Sequence, residues 1–301
     1  MEKILIVTGG PRSKLDSFSK PIENLKMDVT LASFYDLEYA SLGGKDFSLK
    51  IQGIDIKEFQ KIYIRLVGKR LEDATLIVNY AHQKGVKLVD RVYEHSIMVA
   101  STLSKAMELK KLIEAHLPLP QTYFGSLRLI REKAPAYLGF PYVIKSTSGR
   151  RGRDAWLVEN NQNFDTLFDE LRTREKEGVR FFAQSLVRAS QRVRVLTVGD
   201  KVLGAITRPT KWRKHFVTKI NGEIPEGVKE SLVPVPQNYS DLALRAAKAV
   251  ELDIAGVDIL VEDETQKLWV IEANAGPSWN LIKKDCGVEV EEKILEFLAV
   301  L

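Results

Sequence analysis

The sequence predicts an α/β protein in three successive parts: an N-terminal parallel α/β domain, a small central α+β domain, and a C-terminal domain on an antiparallel sheet. Three observations predict this class. Strand-like runs alternate with a helical pattern over the first 95 residues, and successive strand-like runs follow from Phe181 onward. Two further apolar runs near the C-terminus each carry an acidic residue. Alternation predicts a parallel sheet, and successive strands predict an antiparallel one. The predicted domains are 1–95, 96–180 and 181–301.

The N-terminal domain is predicted from the alternation of strands and a helix. A helical pattern over 71–84 separates the third strand candidate from the fourth. Gly9 and Gly10, after the first strand, do not make a dinucleotide-binding fingerprint, because that motif needs three spaced glycines. The strand candidates are Lys3–Val7, Asp28–Ser33, Lys61–Val67 and Val86–Asp90.

The central and C-terminal parts are predicted from shorter signals. A helix over 101–115 is expected to end before the run that closes with Pro120, and Gly199-Asp200 is expected to form a tight hairpin turn. Three more helices are predicted over 164–176, 240–251 and 289–301. The strand candidates are Tyr123–Leu127, Tyr142–Ser146, Ala155–Val158, Phe181–Leu186, Arg192–Val198 and Lys201–Thr207.

Composition places the chain among soluble globular proteins. Its 301 residues are 45% hydrophobic and 28% charged, which is ordinary for that class. No apolar run approaches the roughly 20 residues that span a bilayer, so no membrane is expected. The single cysteine, Cys286, excludes an internal disulfide framework and predicts a cytoplasmic location. Monomer and homo-oligomer are both compatible with the sequence.

Basic residues gather in one region of the chain. The net charge is +5, and arginines and lysines cluster within 150–153, 188–194 and 208–219. Such clusters attract anions: nucleotide phosphates, an acidic peptide or nucleic acid. Nucleic acid is disfavoured, because no helix-turn-helix, zinc finger or aromatic-rich RNA motif accompanies the clusters.

Two acidic residues interrupt the apolar runs near the C-terminus. A carboxylate there is costly to bury unless its charge is compensated. In a hairpin centred on Thr265, Asp258 and Glu272 each lie seven residues from the centre and therefore face each other. Asn274 follows Glu272 by two residues and shares its face. Two carboxylates and an amide oxygen suit Mg²⁺; the alternative, two solvated acids, fits poorly with strands that are apolar on both faces.

A lysine and two glycines follow the strand candidate Tyr142–Ser146. Lys145 would place a positive charge near the strand end, while Gly149 and Gly152 would let the loop backbone approach phosphate oxygens. The loop is not a Walker A motif, because no Gly-Lys-Ser/Thr opens a helix. Without other motifs, a lysine at a strand end is more often a residue that extends its ammonium group to solvent.

Several motifs occur together in this order along the chain. They are Lys105 before Pro120, Lys145 before the Ser/Gly loop, Phe182-Ala-Gln184-Ser-Leu186, Arg192 to Arg208, Ala255-Gly-Val-Asp258 and Ile271-Glu272-Ala-Asn274. This combination resembles the ATP-grasp ligases, most closely the RimK-like branch. The resemblance runs from about Lys61 to Asn280, loosely at first and specifically at the end.

The resemblance implies ATP and Mg²⁺, with Mn²⁺ as the alternative ion, and a flexible loop that closes as a lid over the phosphates. It also implies a role for each motif residue. The implied phosphate contacts are Lys105, Lys145, Ser148, Gly149 and Gly152. The implied adenine hinge is Gln184, Ser185 and Leu186, with Ser185 where the branch usually carries an acid. The arginines implied to face the transferred phosphoryl group and the activated carboxylate are Arg194 and Arg208, and the implied metal ligands are Asp258, Glu272 and Asn274.

The implied activity is an ATP-dependent carboxylate–amine ligase that forms an amide through an acylphosphate. Its partners would be a carboxylate substrate and an amine acceptor, with an amino acid joined to a peptide, a protein or a small molecule. The segment Ala275–Trp279 differs from that of the branch's namesake, so the namesake's substrate is not assumed. Two alternatives stay open: a macrocyclase acting on an acidic precursor peptide, and a non-catalytic nucleotide-binding module.

Overall fold

The structure is a computed structural model that describes residues 2–42, 46–68, 70–94, 105–147, 154–177, 179–210 and 230–301. The strands are β1 (Lys3–Thr8), β2 (Asp28–Ser33), β3 (Leu37–Leu42), β4 (Asp46–Ile51), β5 (Ile54–Asp55), β6 (Lys61–Leu66), β7 (Lys87–Val89), β8 (Thr122–Gly125), β9 (Tyr142–Ser146), β10 (Ala155–Val158), β11 (Phe181–Ser185), β12 (Gln191–Val198), β13 (Lys201–Pro209), β14 (Glu230–Leu232), β15 (Ile254–Val261) and β16 (Leu268–Asn274). The α-helices are α1 (Ser19–Leu25), α2 (Leu71–Lys84), α3 (Lys105–Glu114), α4 (Leu127–Leu138), α5 (Asn161–Lys176), α6 (Gln237–Ala249), α7 (Asn280–Cys286) and α8 (Val290–Val300).

The N-terminal sheet is parallel throughout, in the order β2-β1-β6-β7, as the alternation predicted. The central strand β1 is buried along nearly its whole length, which agrees with its continuous apolar run. Gly9 follows the last residue of β1 and lies against the backbone just after β6. A Cβ on Gly9 would lie 2.0 Å from the carbonyl oxygen of Val67. The backbone of Val67 therefore leaves no room for a side chain at this position. Glycine lets the turn after β1 lie close to the end of β6.

A small antiparallel sheet, β3-β4-β5, was not predicted. Its second turn is Gln52-Gly53, where both residues have positive φ, 50° and 77°. A two-residue hairpin turn of this kind usually begins with Asn or Asp rather than Gln, so the turn signal at this position is weak.

The central sheet has the order β10-β9-β11-β8 and is covered by α4 and α5. The predicted strand Tyr123–Leu127 is wrong at its end, because β8 stops at Gly125 and Leu127 opens α4. The Ser126 hydroxyl accepts a hydrogen bond from the backbone N–H of Leu129 at 3.3 Å, the usual role of an N-cap residue. Pro135 lies inside this helix, which the sequence analysis did not predict.

The strand β11 pairs with β8 and β9. It therefore belongs to the central sheet, although the predicted domain boundary placed residue 181 at the start of the C-terminal part. The boundary that the strand pairing favours lies beyond Ser185, and the division of the chain into three domains remains a proposal.

The C-terminal sheet is antiparallel, in the order β14-β13-β12-β15-β16. Asp258 lies opposite Glu272, as predicted from the turn. The register is not continuous, since Ile259 pairs with Val270 and a bulge separates that pair from Asp258. On its other side, Asp258 lies opposite Arg194 of β12. Three charged residues therefore form one row across three neighbouring strands.

The N-terminal and C-terminal sheets share hydrophobic cores, whereas the central sheet has its own. A polar contact between Asp90, which follows β7, and Asp253, which precedes β15, joins the N-terminal and C-terminal sheets. Asp90 accepts hydrogen bonds from the backbone N–H groups of Asp253 and Ile254 at 2.9 and 3.0 Å, and Asp253 accepts from those of Asp90 and Arg91 at 3.0 and 3.1 Å. None of the helices in the described part of the chain is long and apolar enough to cross a bilayer.

Candidate active site

A cleft of about 1080 Å³ lies between the N-terminal, central and C-terminal sheets. Both walls carry charged residues. The predicted site residues that line it are Lys105, Lys145, Gln184, Arg194, Asp258, Glu272 and Asn274. The structure thus brings together residues that are up to 169 positions apart, from Lys105 to Asn274.

Asp258 lies at the centre of the charged row and is only 4% exposed. Arg194 donates to both of its oxygens, from Nε to Oδ1 at 2.7 Å and from Nη2 to Oδ2 at 2.6 Å. Arg192, which the sequence analysis did not assign, approaches Oδ2 at 3.9 Å. Burial raises the pKa of Asp258 and Arg194 opposes that effect. Paired, charge-assisted contacts of this length indicate an ionised carboxylate.

Glu272 lies beside Asp258 and is in contact with two other predicted residues. Its Oε2 receives the ammonium group of Lys105 at 3.3 Å, and its Oε1 accepts from Nδ2 of Asn274 at 3.1 Å. Burial by itself would raise the pKa of Glu272, but the charge of Lys105, the hydrogen bond from Asn274 and the charge of Arg194 lower it to about 2. Glu272 is therefore an anion under ordinary conditions.

Lys105 opens α3 and is positioned by a residue that the sequence analysis missed. Glu108, one turn along the helix, accepts from the Lys105 ammonium group at 2.6 Å and from the backbone N–H of Ala273 at 2.9 Å. It thus fixes α3 against β16. Burial would lower the pKa of Lys105, but Glu108 and Glu272 together raise it. The available signal was the spacing of Lys and Glu, three apart on one helix face.

The opposite wall is contributed by the central sheet. Lys145 of β9 lies opposite Phe182 of β11, and its ammonium group donates to Oε1 of Gln184 at 2.6 Å. Gln184 in turn donates from Nε2 to the Thr122 hydroxyl at 2.9 Å. Phe182 of this sheet and, from the C-terminal sheet, Leu260 and Ile271 are among the apolar residues that line the cleft. A lysine beside an apolar surface suits a ligand with a charged end and a flat, apolar end.

Not every predicted residue lines the cleft. Ser185 and Leu186 follow Gln184 outside the lining, and Ser148, Gly149 and Gly152 lie outside the described residues. Arg208 is directed toward α7, where its Nη2 donates to Oδ2 of Asp285 at 2.5 Å. The partner of Arg208 in this structure is thus a carboxylate of the protein.

The donor set can be compared with what a divalent ion needs. In the described part of the chain, no group of three His, Cys, Asp or Glu side chains is placed so that it could hold a metal ion. The candidate set is two carboxylates and the Asn274 amide, whose nitrogen is directed to Glu272 and to the carbonyl oxygen of Gly256 at 3.3 Å. Oxygen donors of this type fit Mg²⁺, which usually completes its octahedron with water and substrate phosphates.

Comparisons with known proteins agree on one family. A family model for the RimK-like ATP-grasp domain matches residues 102–298. A probable alpha-L-glutamate ligase 1 of Shewanella frigidimarina is 25% identical over 252 residues, which cover 83% of this chain and 80% of that relative.

Solved structures agree with the fold. The ATP-grasp ligase PsnB, complexed with a minimal precursor, Mg and ADP, gives a TM-score of 0.67 at 18% identity and covers 98% of this chain and 96% of its own. The macrocyclase MdnC of Microcystis aeruginosa, bound with the precursor peptide MdnA, gives 0.69 at 14% identity and covers 99% and 100% of the two chains. At these identities the likeness concerns the fold.

Proposed function

This chain belongs to the RimK-like ATP-grasp family and is an ATP-dependent ligase that forms C–N bonds, and we propose that it adds an amino acid to a carboxylate substrate. The observation that carries the proposal is the row of charged side chains from Arg194 through Asp258 to Glu272, with Lys105 at its end. It lies in a cleft whose other wall carries Lys145. The chemistry of a nucleotide-driven ligase needs such a set of cations and oxygen donors.

The reaction has two steps. An oxygen of the substrate carboxylate attacks the γ-phosphorus of ATP, the bond to the β–γ bridging oxygen breaks, and ADP leaves. The amine nitrogen then attacks the acyl carbon of the resulting acylphosphate. Phosphate departs with the electron pair of the C–O bond, and the nitrogen loses its proton to the departing phosphate or to water. Net, one ATP is converted to ADP and phosphate for each amide formed.

The residues that hold the reactants act through charge and position. Lys105 and Lys145 are proposed to bind the phosphates, and Gln184, Ser185 and Leu186 the adenine. The loop with Ser148, Gly149 and Gly152 is proposed to close over the phosphates and exclude water, which would otherwise hydrolyse the acylphosphate. Positioning and charge neutralisation supply most of the catalysis in phosphoryl transfer, because the protein has little covalent work to do.

The metal site is proposed at Asp258, Glu272 and Asn274, with Mg²⁺ as the ion and Mn²⁺ as a substitute. When bound, the ion would neutralise charge on the phosphate oxygens. Arg194 keeps Asp258 in place, with short contacts to both of its oxygens. Arg194 and Arg208 are proposed to stabilise negative charge that develops on the transferred phosphoryl group and on the acyl oxygen. For Arg208 this requires exchange of its contact with Asp285.

The carboxylates of Asp258 and Glu272 are the two anionic ligands of the proposed metal site. Asp258→Asn and Glu272→Gln should each lower turnover by at least about 100-fold, because each removes an anionic oxygen donor from the proposed metal site. Purified protein is incubated with ATP, Mg²⁺, pooled carboxylic acids and pooled amino acids. Mass spectrometry then detects a product with the mass of an acid plus an amine minus one water, and ADP release is followed in parallel.

The matched control is Glu264→Gln in the turn of the same hairpin, where the carboxylate is exposed and forms only a surface contact with Arg188 at 3.7 Å. It should keep wild-type turnover. Near-wild-type turnover in either acid variant would remove the metal assignment. ADP release that does not require both a separate acid and a free amine would contradict amino-acid addition.

A second candidate is a macrocyclase acting on an acidic precursor peptide. The similar fold of MdnC, a macrocyclase bound with its precursor peptide, supports it, as do the basic clusters in this sequence. The two candidates differ in their product. A macrocyclase releases ADP when a peptide is the only other substrate, and it lowers the mass of that peptide by one water. Amino-acid addition requires a separate free amine. A cytoplasmic location stays a prediction for either.

A further inference from the structure

Arg65 is a cleft-lining arginine that the proposed reaction does not use. It is the next-to-last residue of β6 in the N-terminal sheet. It lines the same cleft as Lys105 of α3 and as Glu272 and Asn274 of the C-terminal sheet. The N-terminal part thus contributes a cation to a site whose proposed phosphate and metal residues come from the central and C-terminal parts.

The guanidinium group of Arg65 is held in a fixed orientation. Its central carbon lies 3.7 Å from the centre of the Trp279 ring, and its Nη2 donates to the carbonyl oxygen of Pro277 at 2.5 Å. Trp279 is itself buried, donates from Nε1 to Glu291 at 3.0 Å, and meets the ring of Phe18 edge-on at 6.1 Å. A ring fixed on both sides makes a rigid platform for a stacked guanidinium.

The charge of Arg65 is not neutralised by an adjacent acid. Arg194 and Arg208 each contact a carboxylate, at 2.6 and 2.5 Å. Within the described ranges, Arg65 has no carboxylate oxygen within 4.0 Å. Burial lowers the pKa of Arg65, with a small opposing effect from Tyr63 and Glu291. A guanidinium has five N–H donors, of which one goes to Pro277.

Arg65 lies beside the segment that follows Asn274. A Cβ on Gly276 would lie 3.8 Å from its Nη1 and 3.0 Å from Cδ1 of Leu66, so the guanidinium is beside the chain two residues past Asn274. Lysines 105 and 145 and Arg194 are available to the transferred phosphoryl group and the reacting carboxylate. Because those three residues are already assigned, the anion left for Arg65 is one that stays unchanged in the reaction. An amino acid that supplies the amine brings such an anion with it.

We propose that Arg65, stacked on Trp279, binds an unreacted carboxylate of the amine substrate and so selects amino acids over simple amines. The inference rests on the proposed ligase function and names the residue that sets the class of its amine substrate. A stacked arginine presents its remaining N–H donors in one plane, which matches the two oxygens of a carboxylate. Ser13 and Ser17 line the same cleft and add hydroxyl groups to it.

The test compares an amino acid with its carboxamide as the amine substrate. L-Glutamate is assayed beside L-glutamine and L-glutamate α-amide, each lacking one carboxylate charge. Wild-type protein should prefer L-glutamate over one of the two amides by about 100-fold in kcat/KM, the order expected for a buried charge pair. In Arg65→Gln that preference should fall to within about threefold, mostly through the KM for L-glutamate. The KM for ATP should not change.

A purely structural role would give a different result. If Arg65 only fixes the Trp279 segment, Arg65→Gln lowers kcat/KM equally for the acid and both amides, and the proposal is overturned. Lys14→Gln, which removes another cation lining the cleft, should keep the preference; its loss there would also overturn the assignment to Arg65. If Arg65→Gln does not fold, as judged by thermal unfolding, Arg65→Lys replaces it and should show a preference reduced about tenfold.

Failure of the inference and failure of the proposed function are distinguishable. Amide formation by the wild type, with an unchanged preference in Arg65→Gln, contradicts the inference alone. Absence of any amide product from the wild type overturns the proposed function, and the inference with it.

Discussion

At the scale of single residues, Lys105 of the cleft is paired with two acids of the protein itself, Glu108 and Glu272. Glu108 is buried and connects Lys105 to the backbone of Ala273. Burial raises the pKa of Glu108, and Lys105 opposes that effect. The residue therefore stabilises the fold and positions a lysine of the proposed phosphate site at the same time.

Substitution of Glu108 should separate these two roles. Glu108→Ala leaves the Ala273 N–H without its acceptor and should lower the free energy of unfolding by about 1–3 kcal/mol, measured by urea denaturation. Glu108→Gln keeps an acceptor for that N–H but loses the ion pair, so its main effect should be a higher KM for ATP. Glu114→Ala, which breaks an exposed pair with Lys110 on the same helix, should change neither. Equal effects of Glu114→Ala and Glu108→Ala would contradict the role of burial.

At the scale of elements, close approach between β15 and the segment after β16 shapes one end of the cleft. A Cβ on Gly256 would lie 2.5 Å from the Cβ of Pro277. The carbonyl of Gly256 accepts from Asn274, and the carbonyl of Pro277 accepts from Arg65. The absence of a side chain at Gly256 therefore sets where the proposed metal ligand and the proposed amine-side arginine lie.

Gly256→Ala should overpack this contact and cost about 1–3 kcal/mol in the free energy of unfolding. Pro277→Gly in the same chain removes the opposing Cβ. The double variant should therefore lose less stability than the sum of the two single variants, and urea denaturation of all four proteins measures that difference. Strict additivity would mean that the two residues do not clash and that the cost arises elsewhere.

At the scale of the whole molecule, the reciprocal contact of Asp90 and Asp253 joins the N-terminal sheet to the C-terminal sheet. Asp90 is fully buried, adopts a positive φ of 72°, and has one carboxylate oxygen without a hydrogen-bond partner among the described residues. Burial raises the pKa of Asp90 to about 7, while the N–H groups of Ile254 and Asp253 act in the opposite direction. The contact therefore responds to pH.

The sign of that response follows from linkage. The folded protein holds the Asp90 proton up to about pH 7, whereas the unfolded chain releases it near the ordinary value of 3.8. The protonated Asp90 contributes its full stabilisation below the ordinary value of 3.8. Between 3.8 and about 7 this stabilisation falls by roughly 1.4 kcal/mol per pH unit, and it is lost as the pH rises through 7. Asp90→Asn should flatten the dependence of the urea midpoint on pH between 5 and 7. Asp241→Asn, at an exposed position of α6, should keep it. A slope unchanged in Asp90→Asn would assign the effect to another group.

Much of the site could be predicted where local signals were strong. The apolar runs around Asp258 and Glu272 and the turn between them fix which residues face each other, even though a bulge shifts the register beyond Asp258. The helix α2 was predicted with its correct ends, because its apolar periodicity ends at Gly85, which has a φ of 71°. The helix α4 was missed, because a short strand, a single Ser cap and an internal proline gave conflicting signals.

The sequence by itself determined the family and the strands that carry the acids, and it supplied the residues that are proposed for phosphate and metal. Only the tertiary structure decided that Arg194 pairs with Asp258, that Arg208 reaches Asp285, that Glu108 holds Lys105, and that Arg65 stacks on Trp279. The physical reason is that periodicity and turn chemistry act between near neighbours in the chain. The order of strands in a sheet, and the contacts between sheets, depend on how distant apolar faces pack together.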